Sequence, residues 1–235
     1  MNILSIETAT EACSAALSVN ASVTHEYQVA PQKHSQLILP MVDNLLMAAK
    51  LEVAQLDYLA FGRGPGSFTG VRIATGVIQG LAMSGSIPVV AVSTLETMAQ
   101  QAFDGSDVSY AVSAIDARMG EVYFAIFERD NNGTANLIGK EQVIAPNVAT
   151  GLLSAFFAQH QGDFLSVGTG WQTYPDLVDE ATQSRRISTD ILYPDAQFML
   201  PVAQKMIEQG NTLAVDEIQP VYVRDEVTWK KLPGR

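Results

Sequence analysis

ILSIETATEACSAALSVNASVTHEYQV, residues 3–29, holds three strand-length apolar segments in a row. Residues 3–6 form the first. Residues 13–19, rich in small side chains, follow a polar break. Residues 23–29 follow the short turn Asn20-Ala21-Ser22. Apolar runs of this length bounded by turn residues read as strands, so the chain opens as a three-strand meander. Working outward, residues 35–50 carry helical periodicity. Residues 59–61 read as a short buried strand, closed by the break Gly64-Pro65-Gly66. Residues 70–84 read as helix, 88–92 as strand and 95–103 as helix.

The pattern then restarts. Residues 110–115 and 122–128 are strands, and Asp130-Asn131-Asn132-Gly133 is a hairpin turn. A third strand follows over 136–143. Residues 146–160 read as a helix with proline in its first turn. Residues 164–167 form a strand before a Gly-Thr-Gly turn, and 201–210 close as a helix. Each half runs strand, strand, strand, helix, strand, without letter-for-letter repetition. The prediction is α/β, a duplicated unit with a mixed sheet in each half, divided near residue 105 into 1–105 and 106–235. At 235 residues the length fits one large or two small domains of about 150 residues or less.

Composition narrows the function. Lys and Arg number 14 against 25 Asp and Glu, a net charge of −11. Residues 1–105 hold 4 basic and 8 acidic side chains, leaving 10 and 17 for the remainder, so both halves are acidic. A chain that neutralises phosphates needs a basic surface, which argues against unaided nucleic-acid or anionic-membrane binding. The single cysteine, Cys13, excludes an internal disulfide and a cysteine-based zinc site. The start lacks a basic n-region, and no run approaches the roughly 18 apolar residues of a membrane span. The expectation is a cytoplasmic, soluble protein.

No motif carries catalysis outright. Gly64-Pro65-Gly66-Ser67-Phe68-Thr69-Gly70 opens a helix as a phosphate loop does, but the Lys-Ser/Thr ending is absent. Ser67 or Thr69 capping the next helix is the more economical reading. Cys13 sits in an apolar strand and reads as an inert buried thiol. His25, His34 and His160 are far apart, so no metal site is expected. Neither Gly-x-Ser-x-Gly nor His-Glu-x-x-His occurs.

Three segments together carry a family resemblance: Ile6-Glu7-Thr8-Ala9-Thr10, residues 62–74 (GRGPGSFTGVRIA) and residues 115–124 (IDARMGEVYF). A weaker fourth is residues 220–224 (PVYVR). The set resembles the TsaB family, also called YeaZ, of tRNA threonylcarbamoyladenosine synthesis. The resemblance implies two actin-like lobes with ribonuclease-H-like topology, as in sugar kinases and heat-shock ATPases; a C-terminal helix can then pack back on the first lobe. It implies a non-catalytic subunit that binds and activates its catalytic paralogue TsaD, joined by the small ATPase TsaE. It also implies a homodimer where TsaD is absent, and contact with tRNA only through the partners.

The resemblance also bears on cofactors. TsaD carries a Val-Asn-His-Met-Glu-Gly-His segment whose histidines hold a metal. The matching positions here are Thr94 and Met98, poor ligands for a hard or borderline ion, so no metal or other cofactor is expected. Actin-like folds place carboxylates at the turns that face a nucleotide. Glu7, Glu11 and Asp116 are the candidates, and whether a nucleotide site persists stays open. An actin-like ATPase or phosphotransferase is the alternative function, and a protease-like enzyme a more remote one.

The helix within residues 35–50 is apolar over an unusually wide arc. At 100° per residue, Leu37, Met41, Leu45 and Ala48 form one stripe and Ile38, Val42, Leu46 and Ala49 the next. Together they span roughly 180°, against the about 100° that a surface helix needs for its own core. Pro40 is expected to limit or kink that helix. In the following helix, Gly76 and Gly80 share a face, flanked by Arg72, Gln79 and Met83. Each glycine costs about 1 kcal/mol in a helix interior, which a close approach by a neighbouring helix would offset. The resemblance makes these two helices the docking surface for TsaD.

Overall fold

Each half of the chain builds one sheet, and small side chains let other elements press against its strands. The computed structural model describes residues 1–221. Strands β1 (Asn2–Glu7), β2 (Ala12–Val19) and β3 (Ser22–Val29) form the opening meander. Helix α1 (His34–Ala49), strand β4 (Tyr58–Gly62), helix α2 (Phe68–Met83), strand β5 (Val89–Val92) and helix α3 (Thr94–Phe103) follow. The second half repeats the plan with β6 (Tyr110–Arg118), β7 (Glu121–Arg129), β8 (Ala135–Ile144), α4 (Pro146–Phe157) and β9 (Phe164–Val167). The short helices α5 (Gly170–Thr173) and α6 (Glu180–Gln183) stand where the first half has α2. Strand β10 (Arg186–Ser188) and helix α7 (Met199–Glu208) complete the second half.

The two five-stranded sheets have the same plan, β3-β2-β1-β4-β5 and β8-β7-β6-β9-β10. In each, the meander is antiparallel and the last two strands add in parallel. The α/β class and the duplicated mixed sheets expected from the pattern are therefore present.

The last helix of each half covers the other half's sheet. α3 follows β5, yet its Leu95, Met98, Ala99 and Phe103 pack with Ala111, Ile115 and Phe127 of the second sheet. α7 follows β10, yet its Met199, Leu200, Val202 and Ala203 pack with Ile3, Ala60 and Val90 of the first. The two outer faces are covered locally, by α1 and α2 on the first sheet and by α4 on the second. Matched hydroxyls tie the exchange. Ser5 Oγ in β1 donates to the Ala196 carbonyl at 2.8 Å, just before α7. Ser113 Oγ in β6 donates to the Leu95 carbonyl at 2.8 Å, in the first turn of α3.

Two sequence expectations are corrected. Pro40 does not end α1, which runs through it as one helix with Pro40 on the exposed side. The wide apolar arc of α1 is also no surplus. α1 packs on β2 and β3 and against α2 as well, so it needs more than one stripe. Met41 and Leu45, expected to face a partner, are each 5% exposed and belong to the chain's own core with Ile38, Val42 and Leu46.

Glycine positions separate into closed and open sets. A Cβ at Gly66 would overlap the Ala9 carbonyl, and one at Gly70 the Thr8 carbonyl, so the start of α2 lies directly on the β1–β2 turn. Gly168 has the same relation to the Ala114 carbonyl in the second lobe. At Gly76 and Gly80 a Cβ would meet nothing within 4 Å among the described residues. Gly70→Ala is expected to lower unfolding free energy by about 3 kcal/mol, because the obstruction is backbone and cannot rotate away. Gly76→Ala should raise it by about 0.5–1 kcal/mol through helix propensity. Urea denaturation of both variants checks the contrast, and equal effects would contradict it.

Candidate functional site

A cleft of about 900 Å³ opens where the β1–β2 turn of the first lobe faces the β6–β7 hairpin of the second. Thr10, Glu11, His34, Ser67 and Phe68 contribute from one side, and Ile115, Asp116, Arg118 and Tyr123 from the other. Sequence placed Glu11 and Asp116 at turns of the two halves, and the fold brings both to this cleft. Arg118 links them, 3.6 Å from Glu11 Oε1 and 3.3 Å from Asp116 Oδ2. Asp116 Oδ1 also accepts from the Tyr174 hydroxyl at 2.9 Å and the Arg118 amide at 2.9 Å. Arg118 and Met119 both take positive φ, 65° and 58°, a costly backbone for side-chain-bearing residues that swings Arg118 toward Glu11.

Glu7 does not line the cleft. Its carboxylate is fully buried, accepting from the Ala9 amide at 2.7 Å and the Thr94 hydroxyl at 3.1 Å. Gly62 makes the space, since a Cβ there would overlap that carboxylate. Burial pushes the Glu7 carboxyl up from an ordinary 4.5 to about 7, against the pull of those hydrogen bonds. Thr94 is thus a hydrogen-bond donor to Glu7, and Met98 is a fully buried core side chain. Among the described residues no group of three His, Cys, Asp or Glu side chains could hold a metal ion.

The histidines act separately. His34 Nε2 lies 3.2 Å from the Ala12 carbonyl, His25 lies 3.6 Å from Asp195, and His160 stacks on Phe156 at 4.0 Å. Cys13 is buried, and burial followed by the Glu7 charge pushes its thiol up to about 11, which suppresses the nucleophilic thiolate. Ser67 caps α2, its Oγ accepting from the Gly70 amide at 3.4 Å.

The outer face of α2 is the second feature. Arg72, Gly76, Gly80 and Met83 are exposed there, Met83 to 73%. The Arg72 guanidinium lies 3.7 Å over the Phe68 ring, which is itself 59% exposed. Gln79 is half-buried and donates to the Ile218 carbonyl at 3.0 Å, so it is tied to its own chain. On α1, Leu37 is half-buried and Ala48 exposed, while the large exposed apolar side chains are Leu39 and Met47. Neither belongs to the two stripes read from sequence; their isolation among polar neighbours on the wheel hid them.

The fourth motif segment, residues 220–224, lies outside the described residues except for Pro220 and Val221. The Val221 amide donates to the Arg63 carbonyl at 3.2 Å, beside the Gly-Pro-Gly turn.

With this geometry in hand, comparison with known proteins defines the class and then the family. A family model described as TsaD, tRNA N6-adenosine threonylcarbamoyltransferase, matches residues 19–232. The tRNA threonylcarbamoyladenosine biosynthesis protein TsaB of Escherichia coli K12 is 45% identical over 235 residues, all of both chains. The Haemophilus influenzae TsaB is 41% identical over 237 residues, covering 100% of this chain and 98% of its own. The solved structure of YeaZ from Pseudomonas aeruginosa superposes with a TM-score of 0.84 at 38% identity, over 94% of this chain and 99% of that one. The chain belongs to the TsaB (YeaZ) family, and its two mixed five-stranded sheets share the fold of that YeaZ structure.

The buried Glu7 carboxyl gives a pH prediction. Its folded-state value lies above the unfolded one, so folding takes up a proton between about 4.5 and 7. The contribution is fully present below pH 4.5 and is lost as pH rises through 7. Its size is on the order of 3 kcal/mol. Glu7→Gln should flatten that part of the stability–pH curve from urea unfolding between pH 5 and 8. An unchanged slope would contradict the assignment.

Proposed function

We propose that this chain is the non-catalytic subunit that docks on TsaD and holds that enzyme in its active arrangement during threonylcarbamoyl transfer to tRNA. The named relatives are threonylcarbamoyladenosine biosynthesis proteins, which supports the pathway. The observation that carries the docking reading is the open pair Gly76 and Gly80 on the outward face of α2. Two helix glycines each cost about 1 kcal/mol and, among the described residues, are used by no neighbour within 4 Å. A helix of a partner can approach the backbone closely there, with Met83 beside it and Phe68 and Arg72 one to two turns away. Leu39 and Met47 of α1 add apolar area to the same outer layer. The same surface would pair two copies of this chain where TsaD is absent, and the partner complex would recruit TsaE.

The side chains at two positions support the non-catalytic part of this reading. Thr94 and Met98 stand where the paralogue has histidines, and both are committed, one to Glu7 and one to the core. The acidic balance of −11 leaves tRNA to the partners.

The cleft between Glu11 and Asp116 supports a second reading, an actin-like ATPase, because it has room for a nucleotide. Its carboxylates are already engaged with Arg118, so a bound nucleotide's metal ion would have to displace that arginine. Titration calorimetry with magnesium–ATP, together with turnover by the isolated chain, separates the readings. Turnover abolished by Asp116→Ala would favour the enzyme.

The docking reading is tested at Gly80. Gly80→Leu should weaken TsaD binding by about tenfold to a hundredfold, the equivalent of about 1–3 kcal/mol at a close-packed contact. The melting temperature should hold or rise slightly, because the side chain enters open space and removes a helix glycine. A lower melting temperature with unchanged affinity would overturn the assignment of this face.

A further inference from the structure

The chain has eight methionines, and the fold treats them in two ways. Met41, Met98 and Met199 are buried in the core, and Met206 packs at its edge. Met1, Met47, Met83 and Met119 are exposed, Met83 most of all at 73%. An unbranched thioether gains by burial and adapts its shape to whatever covers it, so an exposed methionine suits a binding surface.

Met83 is the last residue of α2. At 100° per residue it shares an arc of about 60° with Gly76 and Gly80, the two open glycines of that helix. This arc is poor in hydrogen-bond donors. The glycines bring no side chain, and helical amides bond within the helix. The Ser84 hydroxyl beside Met83 donates to the Leu81 carbonyl at 2.7 Å. Arg72, the one charged residue of α2, lies about 16 Å back along the axis, with its guanidinium over Phe68. A polar atom placed on the Met83 sulfur and covered by a partner would therefore find no donor on its own helix.

We propose that Met83 is an oxidation site that controls the docking face: hydrogen peroxide converts its thioether to the sulfoxide, and the sulfoxide releases the partner. The proposal rests on the docking reading of α2 given above. In the reaction the sulfur lone pair attacks one peroxide oxygen, and the S–O bond forms as the O–O bond breaks. The second oxygen takes up the proton of the first and leaves as water. Sulfur is oxidised by two electrons and the peroxide is reduced by two. The product carries a strong acceptor, which is costly to bury without a donor. The fold itself is spared, because Met41, Met98, Met199 and the Cys13 thiol are buried away from the oxidant. The step is reversible, since methionine sulfoxide reductases return the thioether at the expense of a thiol.

The test treats the full chain with hydrogen peroxide, removes the oxidant and measures affinity for untreated TsaD, while peptide mass spectrometry reads which sulfurs gained an oxygen. Oxidation at Met83 is expected to raise the dissociation constant by about tenfold to a hundredfold, and reductase treatment to restore it. The melting temperature should hold, with the core sulfurs unmodified. The same dose also oxidises Met1, Met47 and Met119, so the comparison is repeated in two variants. The oxidised and reduced forms of Met83→Leu should bind TsaD alike, whatever their common affinity. Met119→Leu should keep the full difference. Equal affinity of reduced and Met83-oxidised wild type would overturn the proposal. So would a difference that persists in Met83→Leu, or one that follows a fall in melting temperature. Reduced wild type that does not bind TsaD would instead defeat the docking reading, and this is seen before any oxidant is added.

Discussion

The exchange of α3 and α7 between the two sheets is the constraint on which the other features depend. Neither sheet is covered on both faces by its own half of the chain. The first needs Met199, Leu200 and Val202 from the far end of the sequence, and the second needs Leu95, Met98 and Phe103 from the near half. The buried hydroxyls of Ser5 and Ser113 set the depth of each exchanged segment by binding a backbone carbonyl at its start. Buried hydroxyls and carbonyls both require a partner, so each bond satisfies two groups at once. The cleft follows from this packing. With the sheets held through shared helices, the β1–β2 turn and the β6–β7 hairpin face each other at one rim, and Arg118 spans the gap to Glu11.

Glycine is used in two opposite ways along a single stretch. At Gly66 and Gly70 the missing side chain lets the start of α2 rest on the carbonyls of Thr8 and Ala9. Thr8 fixes that contact by donating to the Gly70 carbonyl at 2.7 Å. Further along the same helix, Gly76 and Gly80 face outward, where a Cβ would meet no other described residue within 4 Å. The inward pair shapes the cleft and the outward pair leaves a shallow track on the surface. One helix therefore serves the interior of the lobe at its beginning and its exterior further on.

Much of this was legible in sequence because it rests on local periodicity. The repeated order of strands, the hairpin at Asp130–Gly133 and the cap at Ser67 were readable from short windows. What escaped notice depends on distance. Strand β10 has three residues, too few for a pattern, and forms because β9 offers it a parallel edge. Met41 and Leu45 are buried because α1 meets β2, β3 and α2 together, which a helical wheel does not contain. The pair of Arg63 and Glu141, bonded at 2.9 Å, joins positions 78 residues apart, and only the fold brings them together. Glu7 was noted as a carboxylate at a turn, but its enclosure by Gly62 and Thr94 was not visible from spacing.

The exchanged helices also bear on how the chain comes off the ribosome. The hydrogen bond from Ser5 to Ala196 joins groups 191 residues apart in sequence. Until α7 has emerged, the inner face of the first sheet, with Ile3, Ala60 and Val90, has no cover. The first lobe thus cannot finish folding as an independent unit during synthesis, although its strands and outer helices are complete by residue 92. Long-range closure of this kind slows folding and leaves apolar surface open in the interval. The duplicated architecture, which looks like two modules in series, is made as one late-closing unit whose quality check is the arrival of α7.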